Sequence, residues 1–296
     1  MKIIRTAVGS MVTWGLIKEL QKLGVEVIGI DCDPNAYAFQ KLNTYYVVPN
    51  AKDPKFIERM LDIVAIEEPD AIIGGPEEES LVLAQNRDLF EGLQLLLPEP
   101  YNIEICMDKL RLDKFFKLAE IPTPKLGSHI EKKSITKPRF GRGGKSIKIE
   151  NGNFITTSII QRYIQGDEYS IDILADKQGN VINMVQRLRV KTIDGKSVIS
   201  KTIYDEEIYE YCKKIVWRLG LFGPSCIQCI VRDKKPYFID VNPRFGGGSI
   251  LSMKADPTFL PNLLRLIKGE KPIPTFYYEQ GLTMTRYYKE VYSCEI

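Results

Sequence analysis

The chain has 296 residues, 44% of them hydrophobic and 27% charged, and its 41 basic and 38 acidic side chains leave a net charge of +3. That length suits two or three compact units rather than one small core, and the interspersed charge is unlike the one-sided footprint of a nucleic-acid binder. The single histidine, His129, argues against a Ser-His-Asp relay or a multi-histidine metal centre. No apolar run approaches the roughly 20 residues that span a bilayer, and "MKIIRTAVGS" at the start lacks a signal peptide's apolar core. A cytoplasmic protein that engages neither membrane nor nucleic acid is expected.

From the N-terminus, "KIIRTAV" reads as a strand, "MVTWGLIKELQKLG" as a helix ending at Gly24, and "VEVIGID" as a strand closing at Asp31. Strands return in "YYVVP", "DAIIGG" and "LQLLLP", with helical "DPKFIERMLDIVAIEE" and "EEESLVLAQNRDLFEG" between them. Such alternation predicts a parallel sheet covered on both faces. "MDKLRLDKFFKLAEIPTP" is a connecting helix stopped by two prolines. From Ser134 the texture changes to short strands joined by glycine turns: "SITKP", "KSIKIE", "TTSIIQRYI", "EYSIDILAD" and "GNVINMVQRLRVK". The helix "DEEIYEYCKKIVWRLG" then precedes the strands "PSCIQCIVRD" and "KPYFIDV". The expected fold class is an α/β domain over residues 1–106 followed by an α+β domain with antiparallel sheets over 107–296.

Two nucleotide-binding signals fail on context. "VGSMVTWG" lacks the G-x-G-x-x-G spacing of a dinucleotide turn. "RFGRGGKS" ends like a phosphate-binding P-loop, but Arg139 stands where the first glycine is needed, and a β-branched "IKIENG" follows where a helix is required. What remains is a glycine loop in a hairpin, containing Gly141, Gly143, Gly144 and Lys145, that can lie over phosphates and offer N–H groups. An ordinary glycine turn is the alternative for this loop alone. Lys137 sits at its root and Lys109 on the preceding segment; each singly can also be a surface charge. Glu168 heads a strand just past the Gly166 break, placed either for a ribose diol or as a solvated strand end. Cys226 and Cys229 form a C-x-x-C inside a strand, which points them to opposite faces, as buried small hydrophobes rather than a zinc pair.

The stretch "YFIDVNPRFGGGS" begins as a buried strand, with Asp240 and Asn242 on one face and Ile239 and Val241 on the other. The strand before it forms a hairpin that brings Gln228 near Asp240. Oxygen donors on one face are costly in a dry core but suit Mg²⁺, which bridges substrate phosphates; Mn²⁺ is the alternative ion. Arg244 follows, positioned to stabilise a transferring phosphoryl group. The glycines at 246 to 248, Gly247 and Gly248 among them, allow the backbone to approach an anionic substrate.

In order, "MDK", "TKPRFGRGGKS", "QRYIQGDEYSID", "CIQCIV" and "FIDVNPRFGGGS" resemble the ATP-grasp superfamily, most closely the single-unit relatives of the carbamoyl-phosphate synthase large subunit. The resemblance implies a pre-ATP-grasp domain over 1–106 and an ATP-grasp domain over 107–296, with a lid at about 125–165 and a large subdomain at about 166–296. It implies ATP phosphate contacts from Lys109, Lys137 and the 141–146 loop, adenine contacts from the backbone of Gln161 and Ile164, and a ribose contact from Glu168. Metal ligation falls to Gln228, Asp240 and Asn242, and catalysis to Arg244 and Lys137. Asp240 stands where the family usually has Glu, and Arg162 where an acidic residue is frequent. The implied activity joins a small carboxylate to an amine or thiol through an acyl phosphate, releasing ADP and phosphate. Carboxyphosphate or carbamoyl-phosphate chemistry and ATP binding without turnover are the alternatives. Arg187, Arg189, Gly247 and Gly248 are candidates for substrate contact, with Asp172 as an ammonium partner and "GGPEEES" facing the cleft. Homodimer formation is left open.

Overall fold

The computed structural model describes residues 1–10, 13–127, 133–141, 148–150, 158–193, 195–287, 289–290 and 292. The first unit is a parallel sheet ordered β3-β2-β1-β4-β5, from β1 (Lys2–Thr6), β2 (Glu26–Asp31), β3 (Thr44–Val47), β4 (Ala71–Ile73) and β5 (Gln94–Leu95). Helices α1 (Thr13–Lys22), α2 (Lys55–Glu67) and α3 (Glu77–Gln85) cross over between strands, as the alternation predicts. The two faces of β1 separate cleanly. Ile3 joins one core cluster with Leu16, Ile17 and Leu20 of α1, and Ile4 joins another with Phe56, Met60 and Ile63 of α2.

The connector differs from the single helix expected. It is two helices, α4 (Pro100–Met107) and α5 (Lys109–Leu118), because Asp108 between them is extended and its carboxylate accepts from the N–H groups of Leu110 and Arg111. This is an N-cap, and it starts a helix where the sequence reads as mid-helix. The second unit holds two antiparallel sheets. A three-stranded sheet runs β7-β6-β8, from β6 (Ser134–Pro138), β7 (Lys148–Glu150) and β8 (Ser158–Arg162). A six-stranded sheet runs β13-β12-β9-β10-β11-β14. Its strands are β9 (Asp167–Ala175), β10 (Val181–Ile193), β11 (Lys196–Ile203), β12 (Gly223–Arg232), β13 (Lys235–Asn242) and β14 (Thr283–Thr285).

One face of the large sheet, including Ile171, Ile173 and Ile227, packs on Phe116 of α5 and on Ile208, Cys212 and Ile215 of α6 (Glu206–Arg218). Its other face meets α7 (Ser249–Ala255) and α8 (Phe259–Ile267). Leu174, Met253, Phe259 and Leu263 thereby join the same cluster as Ile3 and Ile17. The first sheet and the large sheet share one core. Among the described residues no helix is long and apolar enough to cross a membrane.

Candidate functional site

The hairpin of β12 and β13 places Gln228 opposite Asp240 and Cys226 opposite Asn242. A register shift follows, because Gln228 and Cys229 are consecutive while their partners Asp240 and Phe238 flank Ile239. Ile239 is thus the extra residue of a β-bulge, and the expected pairing of Ile239 with Val241 on the buried face is corrected: Phe238 and Val241 are buried, while Ile239 is half-buried. The bulge frees the Ile239 carbonyl to meet Lys137, whose Nζ approaches it at 3.5 Å from β6, 102 residues away. Lys137 is 7% exposed. Burial pulls its ammonium down to about 8, with Asp240 opposing and Lys109 adding to the fall.

Lys109 lies at the root of the glycine loop. Its N–H donates to Arg139 O at 3.1 Å and its Nζ to Gly141 O at 2.8 Å. Arg139 in turn donates from Nε and Nη2 to Asp108 at 2.9 and 2.6 Å, a two-pronged grip that holds the Asp108 carboxyl below its usual range. The strands flanking the loop pair antiparallel, Ser134 with Glu150, as a hairpin requires. Gly143, Gly144 and Lys145 lie outside the described residues. On β8, Gln161 is buried at 4% and pairs with Ile135, and Ile164 beyond it is buried at 6%. Glu168 is ion-paired with Arg189, whose Nη2 also donates to Gly195 O at 2.7 Å and Nε to Ser197 Oγ at 3.1 Å.

The polar face of the hairpin is hydrogen-bonded throughout. Gln228 Nε2 donates to Ser170 Oγ at 3.4 Å, and Asn242 Nδ2 to Asp240 Oδ2 and Cys226 O, both at 3.3 Å. Arg244 Nη2 donates to Asn242 Oδ1 at 3.1 Å and pairs with Glu77 at 2.6 Å. Burial works against the Arg244 charge, but the Glu77 carboxylate outweighs it and holds the guanidinium above its usual range. Among the described residues no group of three His, Cys, Asp or Glu side chains could cage a metal. One carboxylate and two amides fit instead a Mg²⁺ ion that completes its shell with phosphate oxygens and water.

Glu77 opens α3 just beyond β4, where the sheet order reverses beside β1, and of "GGPEEES" it is Glu77 that reaches Arg244. This is the topological switch point, the crevice where doubly wound sheets take ligands. Separately, a small cavity between the two units is lined by Arg5 and Thr13 from one and by Phe245, Gly246 and Ser249 from the other.

Asp172 corrects a second expectation. It is 1% exposed and accepts from Arg187 Nε at 2.7 Å, Ser252 Oγ at 2.5 Å and Ser249 Oγ at 2.7 Å, so it offers no open oxygen to an ammonium. Burial alone would raise its carboxyl, but the Arg187 charge and the hydroxyls hold it below its usual range. The glycine run is also explained differently from expectation. A Cβ at Gly246 would fall 2.8 Å from Asp172 Oδ1, and one at Gly248 would overlap the Arg187 guanidinium. The protein's own side chains fill those spaces, and Gly247 alone of the run is exposed. Sequence reasoning missed Ser249, Ser252 and Arg286, whose Nη2 donates to Gly247 O. Their only signal is proximity that the chain fold creates.

Two known families match the chain. One described as an ATP-grasp domain covers residues 106–248, and one described as a PylC-like N-terminal domain covers residues 9–96. Among solved structures, the biotin carboxylase–β-γ-ATP complex from Campylobacter jejuni has a TM-score of 0.71 at 17% identity, over 91% of this chain and 71% of that one. The biotin carboxylase domain of Hydrogenobacter thermophilus 2-oxoglutarate carboxylase, described with MgADP, ADP and bicarbonate, has a TM-score of 0.66 at 19% identity, over 91% and 70%. An L-amino acid ligase from Bacillus licheniformis has a TM-score of 0.70 at 16% identity, over 90% and 74%. At these identities the likeness is one of fold.

Proposed function

The chain carries an ATP-grasp domain behind a PylC-like N-terminal domain, and from that premise we propose that it is an ATP- and magnesium-dependent ligase. It activates a carboxylate as an acyl phosphate and passes the acyl group to an amine or a thiol. One observation carries the reading: Lys137 of the small sheet reaches the bulge beside Asp240 on the large sheet. An ammonium thereby stands next to the oxygen face that would take a divalent cation.

In this reading Lys109, Lys137 and the 141–146 loop hold the phosphates, the backbone at Gln161 and Ile164 meets adenine, and Glu168 takes the ribose as Arg189 yields it. Gln228, Asp240 and Asn242 hold Mg²⁺, or Mn²⁺ in its place. The cation supplies neutralisation of phosphate charge that would repel an incoming carboxylate. Arg244, aimed by Glu77 and Asn242, stabilises the phosphoryl group as the carboxylate oxygen bonds to phosphorus and ADP leaves. The nucleophile then bonds to the acyl carbon and phosphate departs. The solved structures similar in fold include complexes with nucleotide and magnesium and an L-amino acid ligase, which supports this assignment. The bicarbonate of the H. thermophilus structure favours carboxyphosphate formation as the second reading.

The test is phosphate release from Mg·ATP across pooled carboxylates and amines, with ADP separated from AMP and Arg244→Ala as control. ADP and phosphate formed only with one acid–nucleophile pair, and lost in the control, are expected. AMP as product, or turnover unchanged by Arg244→Ala, refutes the assignment.

A further inference from the structure

Sheet edges present unpaired N–H and C=O groups, and proteins usually shorten, charge or cover them. Other edges of this molecule follow that rule. β5 is two residues long, and Arg87 donates to the carbonyls of Leu95, Leu97 and Pro98 beside it at 3.4, 2.8 and 3.1 Å. On β13 the Phe238 N–H is taken by Pro122 O at 2.8 Å. β3, the opposite edge of the parallel sheet, has no such protection. Residues Leu42 to Ala51 carry no charge, and Tyr45 and Val47 are 50% and 46% exposed.

Val48 N–H donates to Asp31 O at 3.0 Å, so Thr44, Tyr46 and Val48 turn their main-chain groups toward β2, and the alternate residues Tyr45 and Val47 turn theirs outward. No described residue bonds to those outward groups. An antiparallel copy of the same strand matches them. With Tyr46 opposite Tyr46 of the other copy, Tyr45 and Val47 stand opposite the other copy's Val47 and Tyr45, and each such pair exchanges both N–H···O bonds. An aromatic ring then lies beside a β-branched side chain, a favourable cross-strand pair. Charge is complementary on the other face. Arg59 lies 5.6 Å from the Tyr46 ring, and the Tyr46 hydroxyl donates to Glu67 at 2.5 Å. Because α2 runs back against the parallel strands it connects, a twofold axis beside Tyr46 turns the Arg59 end of one α2 toward the Glu67 end of the other.

We propose that the β3 edge is the docking surface for a second copy of this chain, joining two parallel sheets into one continuous sheet about a twofold axis beside Tyr46. The interface is isologous, with the same strand on both sides, and it does not depend on the ligase reading. Antiparallel pairing points the carboxyl ends of the two parallel sheets in opposite directions. The crevice between β1 and β4 lies roughly 12 Å in from the edge by strand spacing. The two crevices therefore open at opposite ends of the joined sheet.

Sedimentation equilibrium of the full chain, without nucleotide or magnesium, is expected to return the mass of two chains. Val47→Lys should sediment as a monomer under the same conditions with its far-ultraviolet circular dichroism unchanged, because the side chain it replaces is half-exposed. Val47→Pro tests the hydrogen bonds by themselves, since it removes an outward N–H and no bond within the sheet. It should also yield a monomer. Tyr46→Cys in a Cys32→Ser chain reads the register, the second change removing an exposed thiol. Two copies of residue 46 at a Cα separation of about 4.5 Å lie within disulfide range, so mild oxidation should join the chains there. Tyr45→Cys, displaced along the strand from its own mate, should not cross-link. A single-chain mass at every concentration overturns the proposal. So does a dimer that survives both Val47 substitutions, or one that Tyr45→Cys links and Tyr46→Cys does not.

Discussion

Lys137 stands at the junction of the two antiparallel sheets with its ammonium pulled down to about 8 by burial. Its charge is therefore present below about pH 8 and lost above it. If it pairs with nucleotide phosphates, kcat/KM for ATP should fall as pH rises through about 8, and the fall should be absent in Lys137→Arg, whose guanidinium stays protonated. The sign for stability is opposite. The unfolded lysine binds more protons between about 8 and its usual 10.5, so the cost of burying this ammonium is full below 8 and fades as pH climbs through that window. At Asp240 the prediction concerns chemistry. Asp240→Asn keeps the shape but removes the only carboxylate of the Gln228, Asp240 and Asn242 set, and should abolish ATP turnover with modest loss of nucleotide affinity. A turnover assay beside a nucleotide titration checks both halves.

Between α4 and α5, a single residue organises a larger piece of chain. Asp108 caps α5 and receives both prongs of Arg139, tying the start of a helix to the root of the glycine loop. Asp108→Ala should cost about 1–2 kcal/mol in denaturant unfolding and raise KM for ATP, because the loop root loses its anchor. Asp108→Asn, which can still cap, should recover most of the stability but less of the KM effect. The same element shows why the sequence was legible only in part. The alternating strands and helices of the first unit and the Gln228–Asp240 register were readable, since both follow from residue period and loop length. The break at Asp108 was not, because a capping aspartate inside a helical pattern looks like any solvated charge until Arg139 folds back on it. Nor was the bulge at Ile239, since one extra residue leaves the apolar pattern of "YFIDV" intact while turning its carbonyl toward Lys137.

The two units of the molecule are joined by charge as well as by packing. Glu77 of the parallel sheet's α3 pairs with Arg244 beside the glycine segment, so the orientation of the proposed catalytic arginine depends on a residue of the other unit. Glu77→Gln should lower kcat by about 10²–10³-fold, the scale of losing one aligned charge stabiliser, with little change in KM for ATP; steady-state kinetics checks the split. The shared cluster of Ile3, Ile17, Leu174, Phe259 and Leu263 predicts one cooperative heat-absorption peak for the parallel and six-stranded sheets together. Two well-separated peaks would show that their common core contributes little. This coupling was the least readable level of all. Arg187, Arg286, Ser249 and Ser252 come from distant segments, and their meeting depends on how α7 and β14 lie against β10 and β11, which no local pattern encodes.

That shared core also bears on how the chain is made. One face of the parallel sheet is completed by Phe245, Met253, Phe259, Leu260, Leu263 and Ile267, all encoded more than a hundred residues after β5 ends at Leu95. At ~5–20 residues per second, a ribosome delivers them roughly ten to thirty seconds after the last parallel strand. During that interval the nascent sheet presents an uncovered apolar surface. Synthesis order thus makes the emerging N-terminal half a natural client for chaperones that shield such surfaces, until the final helices arrive to close it.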